Sequence, residues 1–303
     1  MVVSPTLKHA WAAYLLAHLP DGSYRIAGQD RITSTLGRRL LQRVMTGREV
    51  EDLGRSAIVF APHPDDETLG CGGTILRKLE QGAKVQVVYL TDGAQSHVPL
   101  MPSDEVRAMR HNEALDACRE LGVSESHVHF LDLPDSGLAE KDRIAIEKVR
   151  ELLDIYGPEE VFVTHRDEEP RDHRAANSIV RQAVQLSGAT TLVWEYPIWC
   201  WNRWPWLGFG KGAWRHPWAV TKSVWQGWPS LSLLTGCNCA VDVSAVLDEK
   251  RAALEMHRSQ MTRINGDPRW DTLSDYADGR FLEMLFQPHE AFRRYVVPGD
   301  RRI

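Results

Sequence analysis

From residue 57 onward, short apolar runs rich in β-branched residues alternate with longer amphipathic stretches. Such runs predict buried strands, here at residues 57–60, 84–91, 128–131, 160–164 and 191–196. The stretches between them have helical spacing and predict helices at residues 68–81, 105–121, 141–156 and 173–186. Because buried strands that alternate with helices form parallel sheets, we expect an α/β fold, a Rossmann-like, mostly parallel sheet with helices on both faces.

The same pattern divides the chain into three parts. Residues 1–55 predict a helical extension, residues 56–262 a single α/β domain, and residues 263–303 a C-terminal tail that packs on this domain through its aromatic residues. Within the extension, residues 10–19 predict one helix and residues 33–45 another. The second helix has a basic side, so it either covers the sheet or lies on an anionic membrane. A last strand is expected at 239–243, before a helix that runs to about residue 261.

Tryptophan is concentrated between residues 194 and 228, which hold nine of the eleven tryptophans in the chain. Prolines and glycines interrupt any helical period there, so the segment predicts a long structured insertion. An indole ring offers flat apolar area and an N–H donor, which suits the face of a sugar or the headgroup zone of a membrane. Most of these rings are expected to hold the insertion together, with one or two left to contact a ligand.

Composition narrows the class of protein without identifying it. The formal net charge of −5 gives no bulk electrostatic reason to expect nucleic acid as a partner. The five cysteines are odd in number and show no paired framework, so they favour free thiols and the reducing cytoplasm. Peripheral contact with a membrane stays open, and the sequence does not indicate an oligomeric state.

The most informative stretch follows the first predicted strand and reads Pro62-His63-Pro64-Asp65-Asp66-Glu67. His63 and Asp66 are spaced so that an imidazole and a carboxylate can bind one metal ion, while Asp65 points elsewhere and stays free as a base. An acidic helix cap alone would explain the carboxylates but not the histidine. A catalytic zinc needs a third protein ligand, and His173, after the strand at 160–164, is the best candidate.

These motifs resemble the PIG-L/LmbE family of zinc-dependent de-N-acetylases over roughly residues 56 to 262, with Leu133-Pro134-Asp135-Ser136-Gly137 as a further landmark. The resemblance implies that His63, Asp66 and His173 bind the metal and that Asp65 is the general base. It implies substrate contacts for Arg110 and Asp135, although Arg110 could instead form a surface ion pair. Because zinc-bound histidines donate their second N–H to an acceptor, Asp92 and Asp172 are expected behind the ligands.

The second motif departs from the family pattern His-Pro-Asp-His, because it reads Pro170-Arg171-Asp172-His173 here. The family histidine is thought to stabilise the oxyanion or to act as an acid, and Pro170 can do neither. Negative charge that develops on the amide oxygen still needs a donor beside the metal. We therefore expect His165 or Arg166, or else Arg171, to supply it.

The resemblance implies a zinc hydrolase that removes acetyl from an N-acetylglucosamine-type sugar, either free or linked to a lipid or polysaccharide. A zinc-held water would be the nucleophile, and Asp65 would take its proton. Ferrous or another divalent ion also suits these ligands. Two alternatives remain: a sugar- or lipid-binding protein of the same fold without turnover, and an amidase that acts on a thiol-sugar conjugate. The expected location is the cytoplasm, free or peripheral to the membrane.

Overall fold

The computed structural model describes residues 47–98, 100–203, 205–207, 217–227 and 232–299, together with residues 39, 41, 42, 45 and 230. The helix predicted at residues 10–19, most of the helix at 33–45 and part of the tryptophan-rich segment lie outside this range. Leu41 and Met45 are helical and buried in the larger core cluster.

The described residues form one seven-stranded sheet. Its strands are β1 Ala57–Ala61, β2 Val85–Thr91, β3 Val128–Leu133, β4 Glu160–Thr164, β5 Thr191–Tyr196, β6 Cys239–Asp242 and β7 His289–Val297. They lie in the order β3-β2-β1-β4-β5-β7-β6. The first five are parallel, while β7 pairs antiparallel with both of its neighbours.

Helices cover both faces of the sheet. Their bounds are α1 Asp66–Glu80, α2 Ser103–Glu120, α3 Asp142–Tyr156, α4 Arg171–Ser187, α5 Pro217–Gly227, α6 Ser232–Gly236, α7 Leu247–Met256, α8 Arg258–Met261 and α9 Arg280–Leu285. Successive residues of β1 alternate between two hydrophobic clusters: Val59 packs with α1, α2 and α7, and Ile58 packs with α3 and α4. This confirms the predicted mostly parallel sheet with helices on both faces.

Residues that were expected to form a tail instead provide β7, which lies between β5 and β6 inside the sheet. Its sequence, HEAFRRYVV, mixes charged and apolar residues, so it did not suggest a strand. Glu290 and Phe292 are buried. The C-terminal residues are therefore part of the sheet that positions the site.

Glu290 also completes helix α1. The helix is broken at Cys71, where φ is −148°, so its second segment begins with backbone N–H groups that need new acceptors. The Glu290 carboxylate accepts from the N–H groups of Gly73 and Thr74 at 2.9 and 2.8 Å, and from the fully buried Lys250 ammonium at 2.7 Å. One carboxylate from β7 thus caps half of α1 and neutralises a buried cation.

The sheet brings separate parts of the chain to one edge. Strand β1 lies between β2 and β4, where the strand order reverses direction, and ligands of open α/β sheets bind at such points outside the carboxyl ends of the strands. His63 follows β1, Asp92 follows β2, Asp135 follows β3, and the loop to His173 follows β4. The neighbouring loops are hydrogen-bonded to each other, since Thr91 donates through its backbone N–H and hydroxyl to the Pro62 carbonyl.

Within the part of the chain that the structure describes, no helix has both the length and the apolar composition needed to cross a bilayer.

The buried pair of Glu290 and Lys250 gives a test of this framework. Glu290→Gln should lower the free energy of unfolding by about 3 kcal/mol, because it leaves a buried ammonium without its counter-charge. The double variant Glu290→Gln/Lys250→Met should lose less stability than the single variant, because the unpaired charge is gone. Urea denaturation measures both.

Glu255→Gln, on the exposed side of α7, is the matched control and should change the unfolding free energy by no more than about 0.5 kcal/mol. Equal losses in the single and double variants would show that the charge of Lys250 is not what Glu290 stabilises.

Candidate active site

A cavity of about 310 Å³ opens at this edge of the sheet. That size lies in the range of small-molecule sites. Its lining comes from loops after several strands and from the C-terminal part of the chain: His63, Asp65, Asp66, Leu69, Gln95, Ser96, His97, Arg110, Asp135, Ser136, Pro170, His173, Trp199, Gln260, Asp271, Thr272, Leu273 and Tyr276.

The two adjacent aspartates separate at the entrance to α1. Asp65 has φ 131° and ψ −26°, a strained conformation for a residue other than glycine, whereas Asp66 begins the helix. The buried Glu67 accepts from the backbone N–H of Asp65 at 3.1 Å, and it also contacts Nε2 of His257 at 3.0 Å. This pairing stabilises the unusual turn, which lets Asp65 and Asp66 make different contacts.

Asp66 makes contact with both histidines. Its Oδ2 lies 3.3 Å from Nδ1 of His63 and 3.3 Å from Nε2 of His173. These donor atoms all fall within 4.8 Å of one another, which is close enough to share one cation. Two imidazoles and one carboxylate suit zinc and also other divalent transition metals.

The second nitrogen of His173 supports this interpretation. Nδ1 lies 3.3 Å from Glu168 Oε2, and Glu168 itself accepts from the backbone N–H groups of Ile198 and Trp199, both at 2.8 Å. Although burial by itself raises the pKa of Glu168, His173 and these N–H groups outweigh it and hold that pKa below its usual value. A carboxylate behind a histidine in this way orients a metal ligand.

Asp135 and Asp172 contact the other side of His63. Nε2 of His63 lies 3.2 Å from Asp135 and 3.5 Å from Asp172, so these three residues form a second group that could hold a cation. Asp172, however, already accepts from the backbone N–H groups of Ser136 and Leu138. Burial would lower the pKa of His63, but the carboxylates around it raise that pKa well above its usual value. The surroundings of His63 thus favour positive charge.

Asp65 is not part of either group. Its Oδ2 lies 3.2 Å from Nη2 of Arg110, and the same guanidinium donates to the carbonyls of Pro64 and Gly93. Burial raises the pKa of the Asp65 carboxyl to about 7, although Arg110 opposes the rise. A carboxyl group of this kind, beside a possible metal site, is suited to exchange protons near neutral pH.

Arg110 is therefore a buried partner of Asp65 and not of a surface carboxylate. Asp92, expected behind a metal ligand, contacts Arg107 at 2.8 Å and accepts from the backbone N–H of Asp135 at 3.3 Å. It braces the Asp135 loop, and no hydrogen bond or ion pair joins it to His63, Asp66 or His173 among the described residues. Asp172, in contrast, does face a histidine of the group.

The three residues expected to supply a donor to the amide oxygen do not line this cavity. His165 is buried with Nε2 3.9 Å from Glu195, and burial lowers its pKa. Arg166 is exposed and lines a different cavity. Arg171 is exposed and pairs with Glu140. The cavity lining therefore gives no support to the expectation for these residues, which stays a prediction.

Glu67 and Glu168 contact histidines of the site or of its support, although the sequence motifs did not indicate a role for either residue. A sequence signal existed for Glu168, which lies between His165 and His173 in a loop that needs an acceptor for a histidine N–H. Glu67 resembled an ordinary helix-cap acid, and its partner His257 is 190 positions away. Only the folded chain brings them together.

The described tryptophans of the segment from residue 194 to 228 separate into three groups. Trp194, Trp201 and Trp206 are buried in the core, and Trp218 and Trp225 are exposed on α5. Trp199 is half-buried and lines the cavity. The contact of one or two of these rings with a ligand stays a prediction, and Trp199 is the described ring of this segment that lines the cavity.

Comparison with known proteins adds to this geometry. Residues 58–184 match the family model described as PIG-L: GlcNAc-PI de-N-acetylase. A 1D-myo-inositol 2-acetamido-2-deoxy-alpha-D-glucopyranoside deacetylase from Segniliparus rotundus is 29% identical over 256 residues, covering 70% of this chain and 78% of that protein.

Solved structures share the fold at lower identity. N,N'-diacetylchitobiose deacetylase from Pyrococcus horikoshii superposes with a TM-score of 0.58 at 19% identity, covering 88% of this chain and 92% of that one. The 4-carboxy-2-hydroxymuconate hydratase GalB from Pseudomonas putida gives a TM-score of 0.52 at 19% identity, covering 82% and 98%. Because a hydratase has the same fold, the fold alone does not determine the reaction.

The family match spans β1 to α4, the segment that contains His63, Asp65, Asp66, Glu168 and His173, and it confirms the resemblance inferred from the motifs. Residues 58–184 thus form a domain that matches the PIG-L family, and this domain contains the proposed site residues.

Proposed function

We propose that this protein is a metal-dependent hydrolase that removes the acetyl group from an N-acetylglucosamine-type sugar. The observation that carries this proposal is the pairing of functions in one cavity: Asp66 lies between two histidines, while the adjacent Asp65 is held apart from them by Arg110. A binding site has no evident need for a separate carboxylate beside a metal, whereas amide hydrolysis needs a base there.

His63, Asp66 and His173 would hold the metal, which we propose to be zinc, with ferrous iron as an alternative for the same donors. The bound ion supplies a Lewis acid that acidifies water and polarises the amide carbonyl. Glu168 keeps Nε2 of His173 directed toward Asp66 by contacting the opposite ring nitrogen. Asp172 and Asp135 restrain the His63 ring from its other side.

Asp65 would act as the general base and then as the general acid. Its carboxylate takes a proton from the attacking water, and it returns that proton to the nitrogen of the leaving amine. Arg110 holds the carboxylate in place, and the strained turn keeps it from joining Asp66 among the metal ligands. A positioned acid/base of this kind contributes about 10²- to 10⁴-fold to the rate.

The substrate class is supported by relatives whose names describe activity on N-acetylglucosamine derivatives. The bacterial relative named above is an inositol glucosaminide deacetylase. Another relative is named as a probable N-acetyl-alpha-D-glucosaminyl L-malate deacetylase, which favours the 2-acetamido sugar as the common part of the substrate. The products of the proposed reaction are acetate and the free amino sugar.

A sugar-binding protein without turnover is the second candidate. It is favoured by one observation: among the described residues, Pro170 lines the cavity where the family pattern has a histidine, and neither His165 nor Arg166 replaces it there. Measurement of turnover in the wild type and in a variant with Asp65 substituted therefore decides between the two candidates.

Asp65→Asn and Asp66→Asn form a matched pair, because each removes one negative charge and the two positions are adjacent. Asp65→Asn should lower kcat/KM for acetate release about 10²- to 10⁴-fold and leave the bound metal unchanged, because Asp65 does not hold the ion. Asp66→Asn should lose the metal. Acetate release and elemental analysis of the purified proteins measure the two effects.

Thermal unfolding of both variants controls for misfolding. Metal loss in Asp65→Asn would place this residue among the ligands and refute its assignment as the base. Undiminished turnover in Asp65→Asn would refute the proposed mechanism. Wild-type protein that binds metal and sugar but releases no acetate would favour the binding protein.

Glu168→Gln should weaken metal affinity about 10- to 100-fold, because a charged acceptor behind His173 is lost. Zinc titration with a competing chelator measures the affinity without requiring turnover. Glu169→Gln is the neighbouring control. Glu169 is exposed and pairs with Arg203, so the metal affinity of this variant should match that of the wild type. An unchanged affinity in Glu168→Gln would mean that the contact with His173 has no effect on the metal.

A further inference from the structure

The most exposed tryptophan, tyrosine and phenylalanine side chains of the described residues lie on helix α5. Trp218 and Trp225 keep 66% and 76% of their surface accessible, whereas the next ring, Tyr276, keeps 40%. Two indoles at this exposure present on the order of 300 Å² of largely apolar surface to solvent. An apolar patch of that size on a protein surface often marks an interaction site.

Four exposed side chains define one face of this helix, called the α5 face below: Trp218, Thr221, Lys222 and Trp225. Their spacing of three, four and seven positions places them on the same side of a helix. Seven residues are about two turns, so the two indoles lie about 10 Å apart along the helix axis, with Lys222 between them. A flat surface parallel to the axis can therefore contact both rings at once.

Buried tryptophans fix the base of the segment that carries α5. Trp206 is fully buried, donates through Nε1 to the Ser230 carbonyl at 3.3 Å, and meets Trp201 edge to face with ring centroids 5.0 Å apart. Because Trp206 precedes α5 and Ser230 follows it, this hydrogen bond joins the two ends of the excursion. The base is thus packed into the body of the protein, while Trp218 and Trp225 remain exposed.

The charge of the surrounding sequence limits what the α5 face can contact. Residues 196–241 contain four lysines and arginines and no aspartate or glutamate, although 41 of the 303 residues of the chain are acidic. Among the described cations of this stretch, Arg203 pairs with Glu169, whereas Lys222 is exposed and is engaged by no hydrogen bond or ion pair. Apolar rings that flank such a cation, in a stretch without acids, complement an anionic surface.

An anionic lipid bilayer fits the α5 face better than a polysaccharide or a second copy of the chain does. Indoles prefer the headgroup level of a membrane, and a lysine beside them can extend its ammonium group to the lipid phosphates. A sugar needs acceptors for its hydroxyl groups, and the lysine ammonium offers none. A two-fold contact with a second copy would bring two Lys222 side chains to the same interface, where their charges repel.

The helix expected at residues 33–45 was the other candidate for a membrane contact. Its described residues Leu41 and Met45 are buried in the larger core cluster, so these apolar side chains already pack against the protein. The two apolar rings of the α5 face, in contrast, remain accessible. The structure therefore favours α5 over the basic helix as the membrane-facing element.

We propose that the α5 face docks this protein on an anionic membrane surface. Trp218 and Trp225 insert at the headgroup level, and Lys222 pairs with lipid phosphates. An 11-residue helix with two inserted rings binds weakly by itself, so the contact is peripheral and reversible. This inference goes beyond the proposed hydrolysis and does not depend on it, because docking requires no turnover.

Co-sedimentation of the full chain with lipid vesicles tests the proposal. Equal parts of phosphatidylglycerol and phosphatidylcholine supply the anionic surface, and phosphatidylcholine alone supplies the neutral one. The wild type should bind the anionic vesicles more tightly. Lys222→Gln should weaken that binding about fivefold, as one cation near an anionic surface predicts, and should leave binding to neutral vesicles unchanged. Trp218→Ala/Trp225→Ala should weaken binding to both kinds of vesicle about tenfold or more.

Ile155→Ala/Leu186→Ala is the matched control, because these side chains are 63% and 60% exposed on α3 and α4. This variant removes two exposed apolar side chains from another part of the surface and should leave vesicle binding unchanged. Thermal unfolding of each variant shows that lost binding does not come from misfolding.

Three results would overturn the proposal. Equal binding of the wild type and the double tryptophan variant to anionic vesicles would show that the α5 face is not the contact. Dimerisation of the wild type without lipid, lost in that variant and measured by sedimentation velocity, would assign the face to a second copy. Retention on chitin that is lost in the variant, with no binding to vesicles, would assign it to a polysaccharide.

Discussion

Two adjacent carboxylates leave the end of β1 in different directions because the backbone at Asp65 has a φ of 131°. Glu67 stabilises this turn through the Asp65 N–H, and Arg110 takes the Asp65 side chain away from the histidines. Asp66 is thereby free to contact His63 and His173. With ordinary helical geometry at Asp65, the proposed metal ligand and the proposed base would no longer be separated, so the strain at this one residue supports the proposed chemistry.

Buried polar pairs between distant parts of the chain support this turn. His257 reaches Glu67 from the end of α7, Ser259 donates through its hydroxyl and backbone N–H to Glu113, and Glu290 reaches α1 from β7. Each pair leaves no charge without a partner in the interior, where an unpaired charge would be costly. The C-terminal third of the chain thus supports the turn at Asp65 and, through Asp271 and Tyr276, also lines the cavity.

A shared fold is weaker evidence for the reaction of this protein than the arrangement of the side chains in its cavity. A deacetylase and a hydratase both superpose on this sheet, so the sheet accommodates more than one reaction. What favours amide hydrolysis is the local pairing of Asp65 with the group of His63, Asp66 and His173.

The sequence by itself determined the parallel sheet, since its buried strands are apolar runs with regular spacing, and it brought the motifs of His63 and His173 to the ends of two strands. It did not determine β7, because charged residues hide the strand pattern in HEAFRRYVV. Tertiary structure alone decided that Glu67 pairs with His257 and that His165 lies beside Glu195. The spacing of Glu168 and His173 gave a signal, but their contact also depended on the fold. The physical reason is that spacing along a chain predicts which residues share an element or an edge, whereas side-chain direction and charge pairing depend on packing between elements far apart in sequence.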